Sequence, residues 1–300
     1  MTNVFLSRTD DFALTFHEFN PSDPRILICF ADHAGGTGPR GFGTDLCEKK
    51  GWNTIYVGKR KKSRFQGLSA EHFQEIVSPI LDGRVAKTYG ASAGGYAALY
   101  FGAMIDAQVL AASPRNSLHP IHNRNGVTSR EFTHRHWLTD LPTLSTPPTI
   151  VYDWIETRDQ RTVKEWILPA YPEAVFVPVY NAAHLALEQL KRAGAVSRLV
   201  TDFMDGKSLR GFSYNFPLGT IERTLDDGRK AWEQKEHDQV IKLLSPLMEH
   251  LEKHHLIEPF SDAAIATKNV EAAELILGRW RRAMREGTIR RLTAISKASA

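Results

Sequence analysis

Gly90-Ala91-Ser92-Ala93-Gly94 places one hydroxyl between glycines and alanines. Upstream, Val85–Tyr89 reads as a buried strand. Downstream, Ala93–Met104 reads as the helix behind it. A strand that turns sharply into a helix at a serine lifts the hydroxyl clear of the sheet, and the next backbone N–H then faces a developing oxyanion. A side chain at position 90 or 94 would clash where strand and helix meet. Gly95 lets the helix start tightly, and the helix N-terminus favours negative charge nearby. The chemistry suited to this pattern is nucleophilic attack on an acyl carbon. The bland alternative is a glycine- and alanine-rich turn with an idle serine.

A serine needs a base to take its proton and a carboxylate to hold that base in the right tautomer. In a strand–turn–helix site of this kind the chain order is serine, acid, histidine. His184 follows the expected strand Ala174–Tyr180 through Asn181-Ala182-Ala183, so it is the candidate base. Two carboxylates compete for the acid. Asp153 ends the expected strand Thr149–Tyr152, and Asp159 lies in the loop beyond it. The acid usually sits in the loop, which favours Asp159; its rival role is helix capping. Asp153, if buried, would orient a loop. Ala93 N–H supplies one oxyanion donor, and the second is expected at Asp32 or His33, after the strand Arg25–Ala31. His33 and Arg115 are candidate substrate contacts.

These residues need a scaffold. Arg25–Ala31 is a continuous apolar run, as in a strand buried on both faces. Phe12–Phe19 alternates, as an antiparallel edge strand would. Further strands are expected at Trp52–Val57 and Gln108–Ala112. Helices are expected at Phe42–Lys50, at Ser69–Leu81 with Ser69 as N-cap, at Gln160–Ala170 and at Leu185–Ala193. Strands alternating with helices predict an α/β fold with a mostly parallel, doubly wound sheet. That pattern ends near residue 208. Leu209–Leu218 reads as a linker, and 219–300 as a small all-α region with helical stretches at Ile221–His254 and Ala263–Arg285. Lys235–Ile241 and Thr267–Ala273 resemble each other at an offset close to the helix-pair period of tetratricopeptide repeats.

Together these features resemble the α/β-hydrolase superfamily over Phe12–Phe203. The resemblance is carried by the elbow from Tyr89 to Leu99, the acid loop Arg158-Asp159-Gln160-Arg161, and His184 behind Asn181-Ala182-Ala183, where Ala183 stands in place of the common glycine. The elbow and the short core also resemble hydrolases associated with bacterial surface polysaccharides. The resemblance implies a serine hydrolase acting through Ser92, His184 and Asp159, and the same residues would serve a thioesterase or acyltransferase. The absence of a long apolar lid in the sequence favours a small acyl group on a polar carrier, such as a glycan ester.

Composition narrows the setting. The chain has 300 residues, a net charge of +4 and 42% hydrophobic residues, ordinary for a globular protein. Met1–Asp10 lacks the apolar core of a signal peptide, and no run is long enough for a bilayer, so a cytoplasmic protein without membrane partners is expected. Cys29 and Cys47 are the two cysteines, and a structural disulfide is not expected. No cofactor is expected. His119, His122, His134 and His136 crowd the segment before Thr149, yet no Cys or Glu falls at a zinc-site spacing, so no metal is expected. Phe132 and Trp137 are expected to line or pack a lid there. Lys59–Arg64 forms a basic stretch at the active edge, readable as a solvated loop or as an attractor of anionic substrate. Arg279–Arg291 is a second cluster, without the aromatic platform of a nucleic-acid module, so nucleic acid is not an expected partner. The C-terminal helices are a candidate docking surface for a protein partner.

Overall fold

The computed structural model describes residues 2–123, 131–252 and 254–298. Its strands are β1 (Thr2–Arg8), β2 (Phe12–Glu18), β3 (Arg25–Phe30), β4 (Asn53–Lys59), β5 (Val85–Ala91), β6 (Gln108–Ala112), β7 (Thr149–Tyr152) and β8 (Val175–Pro178). Between and after them lie α1 (Thr44–Lys50), α2 (Ala70–Leu81), α3 (Ala93–Ala103), α4 (Thr157–Thr162), α5 (Ala186–Arg192) and α6 (Val196–Met204). The eight strands form one sheet in the order β1-β2-β4-β3-β5-β6-β7-β8. β1 and β2 pair antiparallel, as do β2 and β4. All other pairings are parallel.

The parallel strands are buried because their sequences are apolar on both faces. Ile26 to Phe30 is fully buried, and so is all of α3, whose small residues let it lie close to the sheet. Phe30, Phe73 and Phe101 cluster at ring separations of 5.0–5.7 Å. The side chain of Ser69 caps α2, accepting from His72 N at 3.1 Å.

Three expectations are corrected. Phe12–Glu18 is an inner strand, because β1 pairs along its outer side. The N-terminal stretch, for which no strand is expected from the sequence, forms the edge itself and leaves Val4 and Phe5 exposed. The helix expected from Gln160 starts at Thr157 and changes to a π turn over Val163–Ile167.

The chain divides into two compact units. One comprises Met1–Val179 with His184–Ser213; the other comprises Tyr180–Ala183 with Tyr214–Ala300. The second unit is helical: α7 (Ile221–Glu233), α8 (His237–Leu244), α9 (Met248–Leu251), α10 (Ile257–Thr267), α11 (Val270–Trp280) and α12 (Glu286–Lys297). Leu225, Leu244, Phe260, Ile276 and Trp280 share its core. The two long helical stretches read from the sequence are broken, and Lys253 in the first lies outside the described residues. Lys235 and Lys268, both with positive φ, turn the chain after α7 and after α10. Among the described residues no helix is long and apolar enough to cross a membrane.

Candidate active site

β5 delivers the chain to Ser92, whose φ of 54° and ψ of −117° mark a strained elbow. Space enforces the glycines on either side. A Cβ on Gly90 would lie 2.2 Å from the Gly94 carbonyl oxygen, and one on Gly94 would lie 2.6 Å from that of Phe30. The elbow is pinned through its backbone: Ser92 N donates to Ala112 O (2.9 Å), while Ser92 O accepts from Tyr96 N (2.9 Å) and Arg115 N (3.0 Å). Ala93 is the first residue of α3, so its N–H belongs to the unpaired first turn of a helix.

Ser92 Oγ lies 2.8 Å from His184 Nε2. On the other side of the ring, Nδ1 lies 2.9 Å and 3.1 Å from the two carboxylate oxygens of Asp159. The carboxylate only accepts, so Nδ1 carries the proton, and bare Nε2 accepts from the serine hydroxyl. Asp159 is 1% exposed. It sits in the first turn of α4, held by Glu156, whose side chain accepts from Asp159 N at 2.6 Å. Arg115 Nη1 bridges Asp159 (3.3 Å) and Glu156 (3.4 Å). Asp153 is fully buried and faces its own loop, accepting from Ile155 N at 3.1 Å.

Ser92, Arg115 and His184 border a cavity of about 800 Å³, with Asp32, His33 and Arg64 also in its wall. Asp32 Oδ1 accepts from Ala34 N and Gly35 N, which shapes the loop after β3. Below that loop lies Lys59, fully buried, with Nζ 3.4 Å from His33 O. Lys59 opens the basic stretch 59–64 but is not solvated, because the loop folded over it removes it from water. Burial lowers its pKa to about 8, and Arg64 adds to the shift.

The sheet order and the serine elbow at the end of β5 define the architecture. The chain has the α/β-hydrolase fold. No protein-family model matches the chain, and no curated protein matches it either. Solved structures do. Mouse alpha/beta hydrolase domain-containing protein 10 is 12% identical with a TM-score of 0.43, covering 69% of this chain and 99% of its own. Est1E from Butyrivibrio proteoclasticus is 12% identical at 0.47, covering 68% and 98%. A dienelactone hydrolase from Anabaena variabilis is 16% identical at 0.43, covering 69% and 97%.

The four histidines before Thr149 go to separate partners. His134 lies between Tyr96 Oη (3.0 Å) and Phe65 O (2.9 Å), stacked on Tyr100 at 4.6 Å. Its Nε2–H donates to the carbonyl, so Nδ1 accepts from the tyrosine. Burial brings its pKa down to about 4. His122 meets Thr162 Oγ1 at 2.9 Å and His136 meets Glu71 at 3.1 Å. His119 packs edge-on against Phe132 and Trp137. Among the described residues no three His, Cys, Asp or Glu side chains form a metal-binding group. Phe132 packs toward Tyr96 of α3. From this segment the Ser92 cavity takes Ser113, Arg115 and Ser117, not Phe132 or Trp137. Sequence reading missed Glu156 and the burial of Lys59. The only local sign of Glu156 is its place three residues before Asp159, the spacing of a side-chain cap.

Proposed function

We propose that this protein is a serine hydrolase that cleaves an ester, or a related acyl bond, through an acyl-enzyme. The observation that carries the reading is the unbroken relay from Ser92 Oγ through His184 to Asp159 on the wall of a cavity. His184 Nε2 takes the serine proton as Oγ bonds to the acyl carbon. The tetrahedral oxyanion is held by Ala93 N–H and by a backbone N–H of Asp32 or His33. Collapse breaks the ester C–O bond, and the leaving alcohol takes the proton from Nε2. A water then repeats the sequence: His184 removes its proton, the hydroxide oxygen bonds to the acyl carbon, and Ser92 recovers its proton as the acid departs. Asp159 holds the Nδ1 proton throughout and stabilises the imidazolium. Arg115 and Glu156 fix Asp159 in place. The reading includes a polar carrier, such as a sugar, for the acyl group.

A fluorophosphonate probe tests it. Ser92 is labelled in the wild-type protein and not in Ser92→Ala, and labelling is slowed strongly in His184→Ala. Hydrolysis of short-chain aryl esters falls about 10⁴-fold in either variant. Folded wild-type protein that neither reacts nor turns over any ester overturns the reading and leaves a hydrolase-like scaffold.

A further inference from the structure

A second depression, of about 580 Å³, shares His33, Arg64, Arg115 and Ser117 with the Ser92 cavity. Lys62, Arg158 and Arg161 also line it, and no aspartate or glutamate does so among the described residues. We propose that the substrate carries an oxyacid anion, phosphate or carboxylate, on its alcohol side, and that this cationic depression holds it. The proposal rests on the reading of Ser92 as nucleophile and names the class of carrier that reading left open.

Among the described residues, carboxylates do meet members of the cluster. Glu156 and Asp159 meet Arg115, Glu165 lies 3.8 Å from Arg161, and Asp32 faces His33. Against them stand five cationic side chains in the lining: Lys62, Arg64, Arg115, Arg158 and Arg161. The proton affinity of His33 is lowered, chiefly by Arg64, with burial, Lys59 and Lys62 adding to the effect. That of His122 is lowered to about pKa 4, by burial first and then by Arg115, Arg161 and Arg158. Arg64 stands first among the causes at His33, and Arg115, Arg161 and Arg158 follow burial at His122, in keeping with the cationic lining of the depression.

Arg64 is also built in rather than loosely attached. Lys62, Arg64 and Phe65 all have positive φ, from 58° to 65°. Non-glycine residues hold that conformation only where the surroundings over-determine it. Here the buried Phe65 ring anchors the turn, 5.8 Å from Phe30 and 6.4 Å from Phe101. Arg64 Nε donates to Ser117 Oγ at 3.2 Å. A guanidinium held this way has less rotamer freedom to lose when it meets a planar oxyanion.

The placement of the charge follows from the rest of the Ser92 cavity. Phe42, Leu46, Leu187 and Val196 line that cavity and not the cationic depression. Such a wall suits the acyl hydrocarbon; an anion there would lose water without gaining a partner. The anion thus belongs across the scissile bond, on the group that leaves.

Butyrate esters of glycerol, glycerol 3-phosphate and glycolate test this, with ethyl hydrogen succinate carrying the charge on the acyl side instead. At low salt, kcat/KM for a charged-alcohol ester should exceed that of the glycerol ester about tenfold. Added salt should erode the advantage. The ratio should fall about fivefold in Arg64→Ala and in Arg158→Ala, as loss of one charge-assisted contact implies. The phosphate and carboxylate arms identify the oxyanion. Equal rates across the set, or preference for ethyl hydrogen succinate, overturn the proposal. Calorimetric titration of glycerol 3-phosphate and glycolate into Ser92→Ala reads the site without turnover: saturable binding of either, weakened by Arg64→Ala, supports it, and binding of neither overturns it. Anion binding in a protein that no fluorophosphonate labels sinks the nucleophile assignment and leaves the anion site standing.

Discussion

Lys59 shows how a single side chain can trade stability for a shaped site. Its ammonium is fully buried, 3.4 Å from His33 O and 5.8 Å from the Phe65 ring. Its folded pKa of about 8 lies below the ordinary 10.5. The unfolded chain thus binds the proton more tightly, and stability rises as pH climbs from about 8 to 10.5. Below pH 8 the full penalty of burying the charge is present. Lys59→Met keeps the stem and removes the charge. It should raise stability at pH 7 by about 1–3 kcal/mol and abolish that rise. If the loop after β3 supplies the second oxyanion amide as proposed, the variant should also lower kcat, because the loop loses its contact with Lys59 Nζ. Denaturant melts at pH 7 and 10, beside initial rates, measure all three. Chain order alone pointed to Ser92, His184 and the two competing aspartates, since the order of strands along the chain restricts where each group can arise. It pointed to neither Glu156 nor the fate of Lys59. A cation in a run of cations looks solvated until a loop from elsewhere folds over it.

Elements were legible where their pattern was local. The apolar run of β3, the small residues of α3 and the cap at Ser69 each specify structure through near neighbours. β1 was not legible, because its three apolar residues, Val4 to Leu6, run together instead of alternating, and an edge strand gains its order from pairing with β2. The π turn after α4 likewise has no local signal. The elbow is the element under tightest constraint. Gly90→Ala would press a methyl onto the backbone of Gly94, which cannot rotate away as a side chain can. A loss of about 3 kcal/mol, or about 10 °C in melting temperature, is expected. Gly278 in α11 has nothing within 4 Å of an added Cβ. Gly278→Ala should stabilise its helix by about 0.5–1 kcal/mol, so the pair separates close packing from helix propensity. Differential scanning calorimetry of both variants provides the comparison.

At the scale of the whole molecule the chain crosses between its units three times rather than once. It leaves the sheet unit at Val179, spends Tyr180–Ala183 in the helical unit, returns at His184, and departs again at Tyr214. The four-residue visit is firmly held. The Arg229 guanidinium lies 3.3 Å from the centre of the Tyr180 ring and is paired with Asp226 at 2.9 Å. Tyr180 N donates to Tyr214 Oη (2.9 Å), and His254 Nδ1 donates to Asn181 O (2.7 Å). Asn181 and Ala183 both carry positive φ, so the peptide leading to His184 is strained as well as held. Arg229→Leu should release it: fluorophosphonate labelling at Ser92 slows about tenfold as the imidazole loses alignment, while far-ultraviolet circular dichroism stays unchanged. Unaltered labelling kinetics would refute that coupling. The sequence reads as a linker at Leu209–Leu218 and carries no sign of this earlier excursion, because nothing in Tyr-Asn-Ala-Ala declares which neighbours it will keep. For heredity the excursion has a plain meaning. A recombination event that replaced everything after Ser213 would also discard Arg229, Tyr214 and His254, the partners of Tyr180 and Asn181.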